Sequence, residues 1–403
     1  MRILRIAIEV PYPPTDGTRL EPFHTNRGLA EAGHDITLVA FQSQACDTKP
    51  VQRYCELHAF PFAARNTFPQ LARGFIERFP VNYVKYRRRE VLDCCVRLLR
   101  KRSYDVILVD YGAMGWYGLR LRERSGVPLV TRWHNFDTLI WRRWCEAQRN
   151  PIQRFFGRRQ AEYMARFERQ LANGSNLCLA VGARDAALLR ELAPEARIRY
   201  VPHGIHTDHY APRDGSVEEA GSILFLSSNY QWHPNVDAAR WLYQEIMPQV
   251  WSAVPDARLY ISGKDPTPEM QRWTSERVAF TGFVPDERDL LARAAVTVIP
   301  MRLGSGIKLK LLTALSMARS VVTTSQGAEG LQELTDGEHA LVRDATTEFA
   351  GAIIELLRNP ARCRQLGEAG RKLVRAKCDW RVIIAEYEKA FAEVAQVRQP
   401  VSV

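Results

Sequence analysis

No apolar run in this sequence approaches the roughly 20 residues that a membrane span requires. The opening MRILRIAIEVPYPP is too short and too β-branched for a signal peptide, and it reads as a buried first strand. Metal-ligand spacing is missing too. Cys46, Cys55, Cys94, Cys95, Cys145, Cys178, Cys363 and Cys378 form no C-x-x-C pair and no Cys…His array. They read as core or bystander thiols of a reducing cytoplasm, and no metal site is expected. The chain also has no Walker A sequence, no D-x-D pair, no G-x-S-x-G, and no G-x-G-x-x-G after its first strand. Phosphate chemistry built on a carboxylate-held metal therefore finds no support.

What is there is a globular composition, 46% hydrophobic and 25% charged, over 403 residues. That length favours two domains over one core. The net charge of +11 is concentrated. Residues 82–102 hold eight basic and two acidic side chains, and residues 141–170 hold eight and three, so the two segments carry the whole excess. Basic residues interleaved with Trp and Phe suit an anionic membrane surface or an acidic acceptor. Two solvated helix faces, with Arg stems lying over apolar neighbours, explain the same pattern equally well. No recognisable binding module accompanies the charge, so nucleic acid is not an expected partner.

Short apolar strand candidates alternate with helix-length segments throughout. ILRIAIEV, DITLVAF, DVILVDY, VPLVTRW, LCLAVG and RIRYVPH belong to the first half, and SILFLSS, ARLYISG, VAFTGFV, VTVIPM and SVVTTS to the second. Such runs indicate parallel sheets covered on both faces. The expected fold is α/β, two Rossmann-like doubly wound domains facing a central cleft, with ligands at the carboxyl ends of the strands. The expected divisions are 1–205, 206–380 and a C-terminal helix over 381–403 that packs back across the junction. The break falls in the polar stretch VPHGIHTDHYAPRDGSVEEAGS.

The most informative stretch is VTVIPMRLGSGIKLKLL. A strand ends at Pro300, and Gly304, Ser305 and Gly306 form a compact turn ahead of a helix. Exposed N–H groups at a helix start bind phosphate without a metal, and Lys308 and Lys310 add full charges. Thr313 lies seven residues beyond Gly306, about 10 Å along the helix at 1.5 Å per residue. That separation matches the span from a pyrophosphate to a ribose.

The stretch GSGIKLKLLTALSMARSVVTTSQGAEGL resembles the nucleotide-sugar signature of GT4-type retaining glycosyltransferases, which have the GT-B fold. PYPPTDGTRLEPFHTNRGLAEAGHDITLVAF resembles the family's first strand, glycine loop and second strand. TRWHNFDTLIWRR resembles its His motif, RYVPHGIHTDHYAP its inter-domain linker, and SSNYQWHPNVDAARWL and VAFTGFVPDERDLLARAAV follow in order. The resemblance implies a metal-independent, cofactor-free hexosyltransferase. It would move sugar from a nucleoside diphosphate sugar to a glycan or lipid-linked acceptor, with retention, in polysaccharide or glycoconjugate synthesis. Such an enzyme would be cytoplasmic and able to sit peripherally on a membrane.

By that resemblance His134 and Lys308 are the catalytic candidates. The donor would meet Gly17, Asn229, Phe283, Gly304, Ser305, Gly306, Ile307, Lys308 and Thr313. The acceptor would meet Arg19, Glu21 and Asp137. Gly17 reads equally as a plain turn, and Asp137 equally as a helix N-cap. Departures from the family are specific. Its E-x7-E carboxylates are Ser305 and Thr313 here, and a Thr hydroxyl has neither charge nor bidentate geometry, a loss of about 1–2 kcal/mol in ribose binding. His203 replaces the linker Asn, and Arg319 stands where a Gly usually follows the helix. The Arg/Lys pair after the second domain's first strand is replaced by Asn229, Tyr230 and His233. These losses keep open a catalytically silent GT-B scaffold, a sugar-nucleotide epimerase or a phosphorylase.

Overall fold

The structure, a computed structural model, describes residues 1–15, 17–62, 67–213, 215, 218–304 and 306–396. It divides into two compact units, Met1–Val201 with the chain from Ile383 on, and Pro202–Val382.

The first unit is a seven-stranded, all-parallel sheet. Its strands are β1 (Arg2–Ala7), β2 (Asp35–Gln42), β3 (Glu56–Pro61), β4 (Val106–Asp110), β5 (Leu129–Trp133), β6 (Leu177–Ala180) and β7 (Ile198–Tyr200). They run in the order β3-β2-β1-β4-β5-β6-β7. The sequence VILVD of β4 and LVTRW of β5 are buried at every residue, as expected for strands covered by helices on both faces. The second unit has six parallel strands in the order β10-β9-β8-β11-β12-β13. These are β8 (Glu219–Phe225), β9 (Arg258–Ser262), β10 (Val278–Gly282), β11 (Ala294–Ile299), β12 (Val321–Thr323) and β13 (Leu341–Val342). In each unit the order reverses at one place, between β1 and β4 and between β8 and β11. A reversal of this kind opens a crevice at the carboxyl edge of a doubly wound sheet.

Two strands, β3 and β13, were not expected. The sequence of β3, ELHAFP, lies at the sheet edge with no residue fully buried, so it carries no apolar run. β13 is two residues long and held by its neighbour β12. A strand candidate also ends early: β10 stops at Gly282, whose φ is +68°, leaving Phe283 in a loop and 59% exposed.

The last helix is Trp380–Ala395, whose first residues belong to the second unit and whose remainder, from Ile383, belongs to the first. Trp380 fills the space over Gly204, where a Cβ would lie 2.3 Å from the indole Cδ2. Further along, Ile384 lies over Gly28, where a Cβ would approach its Cγ1 to 2.5 Å. Glu388 meets His34 at 3.2 Å, and Glu393 pairs with Arg197 and Arg199.

Candidate functional site

In the second unit the loops after β8, β9, β10 and β11 leave the same sheet edge. The loop after β11 contains Gly304 at φ +107° and Gly306 at φ +69°, left-handed conformations that glycine adopts at no steric cost. A Cβ on Gly304 would lie 3.3 Å from Trp232 Cη2 and 3.7 Å from Lys308 Nζ, so turn, indole and ammonium are neighbours. Ser305 lies outside the described residues. Ile307 is clasped from the other side, since a Cβ on Gly330 would fall 2.3 Å from its Cα. Lys308 holds the N-cap position of the Leu309–Ser316 helix without a side-chain cap bond. It is 5% exposed, and its Nζ donates to the Gly306 carbonyl at 2.8 Å.

Lys310 Nζ donates to Asn235 Oδ1 at 3.2 Å and lies 5.0 Å from the Phe225 ring centroid. Asn235 Nδ2 donates to the Asn229 carbonyl at 2.7 Å, and Asn229 Oδ1 accepts from the Trp232 N–H at 3.3 Å. Burial, followed by repulsion from Lys308, pulls the Lys310 ammonium down to about 7. The full charge expected there is thus only half present near neutral pH. Phe283 is brought in by a residue that sequence reasoning missed. Lys264, just beyond β9, places its Nζ 3.9 Å from the Phe283 ring centroid, while its carbonyl accepts from Tyr230 N–H at 2.9 Å. A cation after β9 therefore stands close to the loop from which the family's Arg/Lys pair is missing. Thr313 is 6% exposed and its hydroxyl donates to the Lys310 carbonyl at 3.1 Å. Its O–H is used within the helix itself.

In the first unit the carboxyl ends of β1, β4 and β5 bury a charged network. Arg5 Nε and Nη2 donate to Asp110 Oδ2 and Oδ1 at 2.7 and 2.9 Å, and Nη1 to Asn26 Oδ1 at 2.8 Å. Glu21 accepts from Arg132 Nε at 3.1 Å, from Arg5 Nη2 at 3.4 Å and from the Tyr387 hydroxyl at 2.7 Å. Burial opposes the Arg5 charge, but the two carboxylates outweigh it and raise its pKa. Burial pushes Asp110 up against the pull of Arg5.

His134 follows β5 at the rim of this network. Its Nε2 is 3.9 Å from Glu21 Oε2, and its ring stacks on Tyr111 at 3.9 Å and 12°. Tyr111 itself sits at φ +62°, a strained conformation for a side chain of this size. Oxygens and nitrogens of Glu21, Asp110 and His134 lie within 4.8 Å of one another. Two guanidinium groups inside the same cluster already compensate both carboxylates, so its chemistry is that of a closed ion-pair network. Gly17 is exposed at the start of the Gly17–Glu31 helix, with open space where a Cβ would be, and Arg19 is half-buried two residues on.

One acceptor candidate is corrected by this geometry, and a second has a partner of its own. Glu21 is wholly buried, with its carboxylate taken up by Arg5, Arg132 and Tyr387, so it offers no exposed oxygen to an acceptor. Asp137 opens the Asp137–Ala147 helix, but its carboxylate accepts from the Tyr83 hydroxyl, and it is not an N-cap. The helix start is instead held by Glu168, which accepts from the N–H groups of Asp137 at 2.8 Å and Thr138 at 3.3 Å.

Residues 23–209 match the family model described as Glycosyltransferase Family 4, and residues 221–359 match that of Glycosyl transferases group 1. The chain belongs to the GT4-type glycosyltransferases. Its architecture is also that of the GT-B fold. A sucrose-phosphate synthase from Thermosynechococcus elongatus superposes with a TM-score of 0.71 at 17% identity, covering 98% of this chain and 100% of that one. HepE (Alr3699) of Anabaena, in complex with UDP, gives 0.69 at 12% identity over 98% and 100%. A Klebsiella pneumoniae sequence described as an uncharacterized 44.6 kDa protein in the cps region is 22% identical over 375 residues, 89% of this chain and 91% of that protein. No helix among the described residues of this glycosyltransferase is long and apolar enough to cross a membrane.

Besides Lys264, the structure brings together Arg5, Asp110, Arg132 and Tyr387 in the buried network and Tyr111 against His134, none of which was singled out from sequence. A signal existed for three of them. Arg5, Asp110 and Arg132 are ionisable residues inside otherwise apolar parallel strands, where a charge survives only if paired.

Proposed function

We propose that this glycosyltransferase moves a hexosyl group, with retention and without a metal ion, from a nucleoside diphosphate sugar to a glycan or lipid-linked acceptor in polysaccharide or glycoconjugate synthesis. The observation that carries the reading is the convergence of Gly304, Gly306, Lys308 and Lys310 beside a helix start at the crevice between β8 and β11. Phe283, with Lys264 over its ring, offers a flat surface for the base. Similarity to HepE, solved with UDP and with UDP-glucose, makes a UDP-sugar the first donor to test. The cps-region relative supports a role in polysaccharide assembly.

In the reaction the acceptor oxygen bonds to the anomeric carbon as the bond to the diphosphate breaks, and a leaving phosphate oxygen takes the acceptor's proton. Lys308 and the N–H groups of its loop stabilise the charge growing on the diphosphate. His134, oriented by Tyr111, hydrogen-bonds the transferred sugar. A scaffold without catalytic activity is the second reading, favoured by the Thr313 hydroxyl being turned onto its own helix. A thermal-shift panel of UDP, GDP, ADP, CDP and dTDP with their sugar conjugates, with and without EDTA, separates the two. One base class should stabilise the protein, EDTA should not matter, and Lys308→Ala should abolish the shift. No shift at millimolar ligand would refute the transferase reading.

Lys310 gives this reading a pH signature. Its unbound pKa of about 7 must rise when a diphosphate's negative charges arrive. Between the two values the complex holds a proton that the unbound protein lacks, so binding takes up about half a proton at pH 7 and weakens as pH rises. Titration calorimetry of UDP-glucose in buffers of different ionisation enthalpy measures the uptake, which should vanish in Lys310→Met. Zero uptake by the unsubstituted protein would separate Lys310 from the diphosphate.

A further inference from the structure

The two basic segments of the sequence behave differently in the structure. Residues 82–102 form the Arg89–Lys101 helix and its approach, with Val91, Leu92, Cys95 and Leu98 buried. Half of the segment's eight cations are paired, Arg87 with Glu77, Arg88 with Glu90, Arg89 with Asp93, and Arg102 with Glu56 and Asp35, and it presents no exposed large apolar side chain among the described residues. This segment is an ordinary solvated face.

Residues 141–159 are not. Among the described residues ten large apolar side chains are exposed, and seven of them lie on the helices Phe68–Ile76, Asp137–Ala147 and Pro151–Asn173 of the first unit. The most open are Phe68 at 84%, Ile76 at 83%, Ile152 at 78% and Phe155 at 63%. Ring contacts join the three helices into one face. Phe156 lies 5.7 Å from Phe75, 6.0 Å from Trp141 and 6.4 Å from Trp144, centroid to centroid. Around these side chains Arg142, Arg149, Arg154 and Arg158 are exposed and form no ion pair among the described residues. Arg159 sits 5.4 Å from the Phe155 ring centroid.

Contiguous exposed apolar surface of this kind marks an interaction site. Its chemistry decides the partner. Exposed Trp, Phe and aliphatic side chains beside Arg142, Arg149, Arg154 and Arg158, none of them in an ion pair among the described residues, are the combination that a helix at an anionic bilayer surface carries. We infer that this face docks the protein onto an anionic bilayer. Phe68, Ile76, Ile152 and Phe155 enter the boundary between headgroups and acyl chains, and the arginines meet lipid phosphates. The inference is independent of the donor-site reading.

Flotation of the full chain with vesicles of roughly three parts phosphatidylglycerol to seven of phosphatidylcholine, against phosphatidylcholine alone, tests it. The protein should float with the anionic vesicles, much less with the neutral ones, and less again at high salt. Ile152→Glu/Phe155→Glu should lower partitioning roughly tenfold or more, with Tm and any nucleotide-induced shift unchanged because both side chains are exposed. Arg154→Glu/Arg158→Glu should lower it without touching the apolar pair. Equal binding to both vesicle types, no binding to either, or unchanged binding by both variants would overturn the inference. So would a dimer in sizing chromatography that the Ile152→Glu/Phe155→Glu pair breaks while vesicles recruit nothing, which would assign the face to a second copy of the chain.

Discussion

Lys308→Ala is expected to lower kcat/KM by roughly 100- to 1,000-fold, about 3–4 kcal/mol of transition-state stabilisation, while leaving the protein folded. The size follows from the setting of the side chain. At 5% exposure the ammonium is largely removed from water, and its bond to the Gly306 carbonyl holds it against the turn. A charge fixed in advance beside the diphosphate proposed to depart there would need no reorganisation during the reaction, which makes it worth more than a mobile surface lysine. Its removal also frees the Gly306 carbonyl, so part of the loss could come from a loosened turn. Lys308→Gln distinguishes the two, since the amide can still donate to that carbonyl but carries no charge. An activity for Lys308→Gln close to that of Lys308→Ala assigns the effect to the charge, and near-full activity in Lys308→Gln assigns it to the turn. Activity of Lys308→Ala within about threefold of the unsubstituted enzyme would remove Lys308 from the catalytic machinery.

The local structure of the loop proposed to hold the donor was legible because its information is local. Gly304, Gly306, Lys308 and Lys310 lie within seven positions, and a strand, a glycine turn and a helix follow one another in the order the structure shows. The same holds for His134, which directly follows β5. Residues whose surroundings come from distant parts of the chain were not legible. Lys264 matters because a loop some 35 residues earlier and Phe283 some 20 residues later come to it. Tyr387 reaches Glu21 across 366 positions. Glu21 was misread for a physical reason: its helix buries a polar stripe, Glu21, Thr25 and Asn26, where a helix on a sheet usually presents apolar side chains. A carboxylate on such a helix looks solvent-facing until Arg5 and Arg132 are seen to project from the strands beneath it. Likewise β3 escaped notice because an edge strand with half-buried residues has no run of apolar side chains to detect.

That misreading leads to a second large effect. Glu21→Ala is expected to destabilise the first unit by about 3–5 kcal/mol, the usual consequence of removing one partner from a buried ion pair. At the entropy of unfolding of a domain of this size, that lowers its thermal transition by roughly 10 °C. Arg5 keeps Asp110, but Arg132 loses its bond to Glu21 at 3.1 Å while retaining the Val201 carbonyl at 2.7 Å. The Tyr387 hydroxyl loses its acceptor, so the C-terminal helix loses a polar anchor on the first sheet. Glu21→Gln should cost less, because an amide oxygen still accepts from Arg132 or Tyr387. Scanning calorimetry decides between burial and an acceptor role. A residue contacting acceptor would leave the transition in place and raise KM for the acceptor alone, whereas the buried network requires the transition to fall first. Nucleotide binding supplies the control, since the residues proposed to hold the donor belong almost entirely to the other unit. A Glu21→Ala protein that melts early yet still shows the nucleotide-induced shift would locate the damage in the charged network beneath His134.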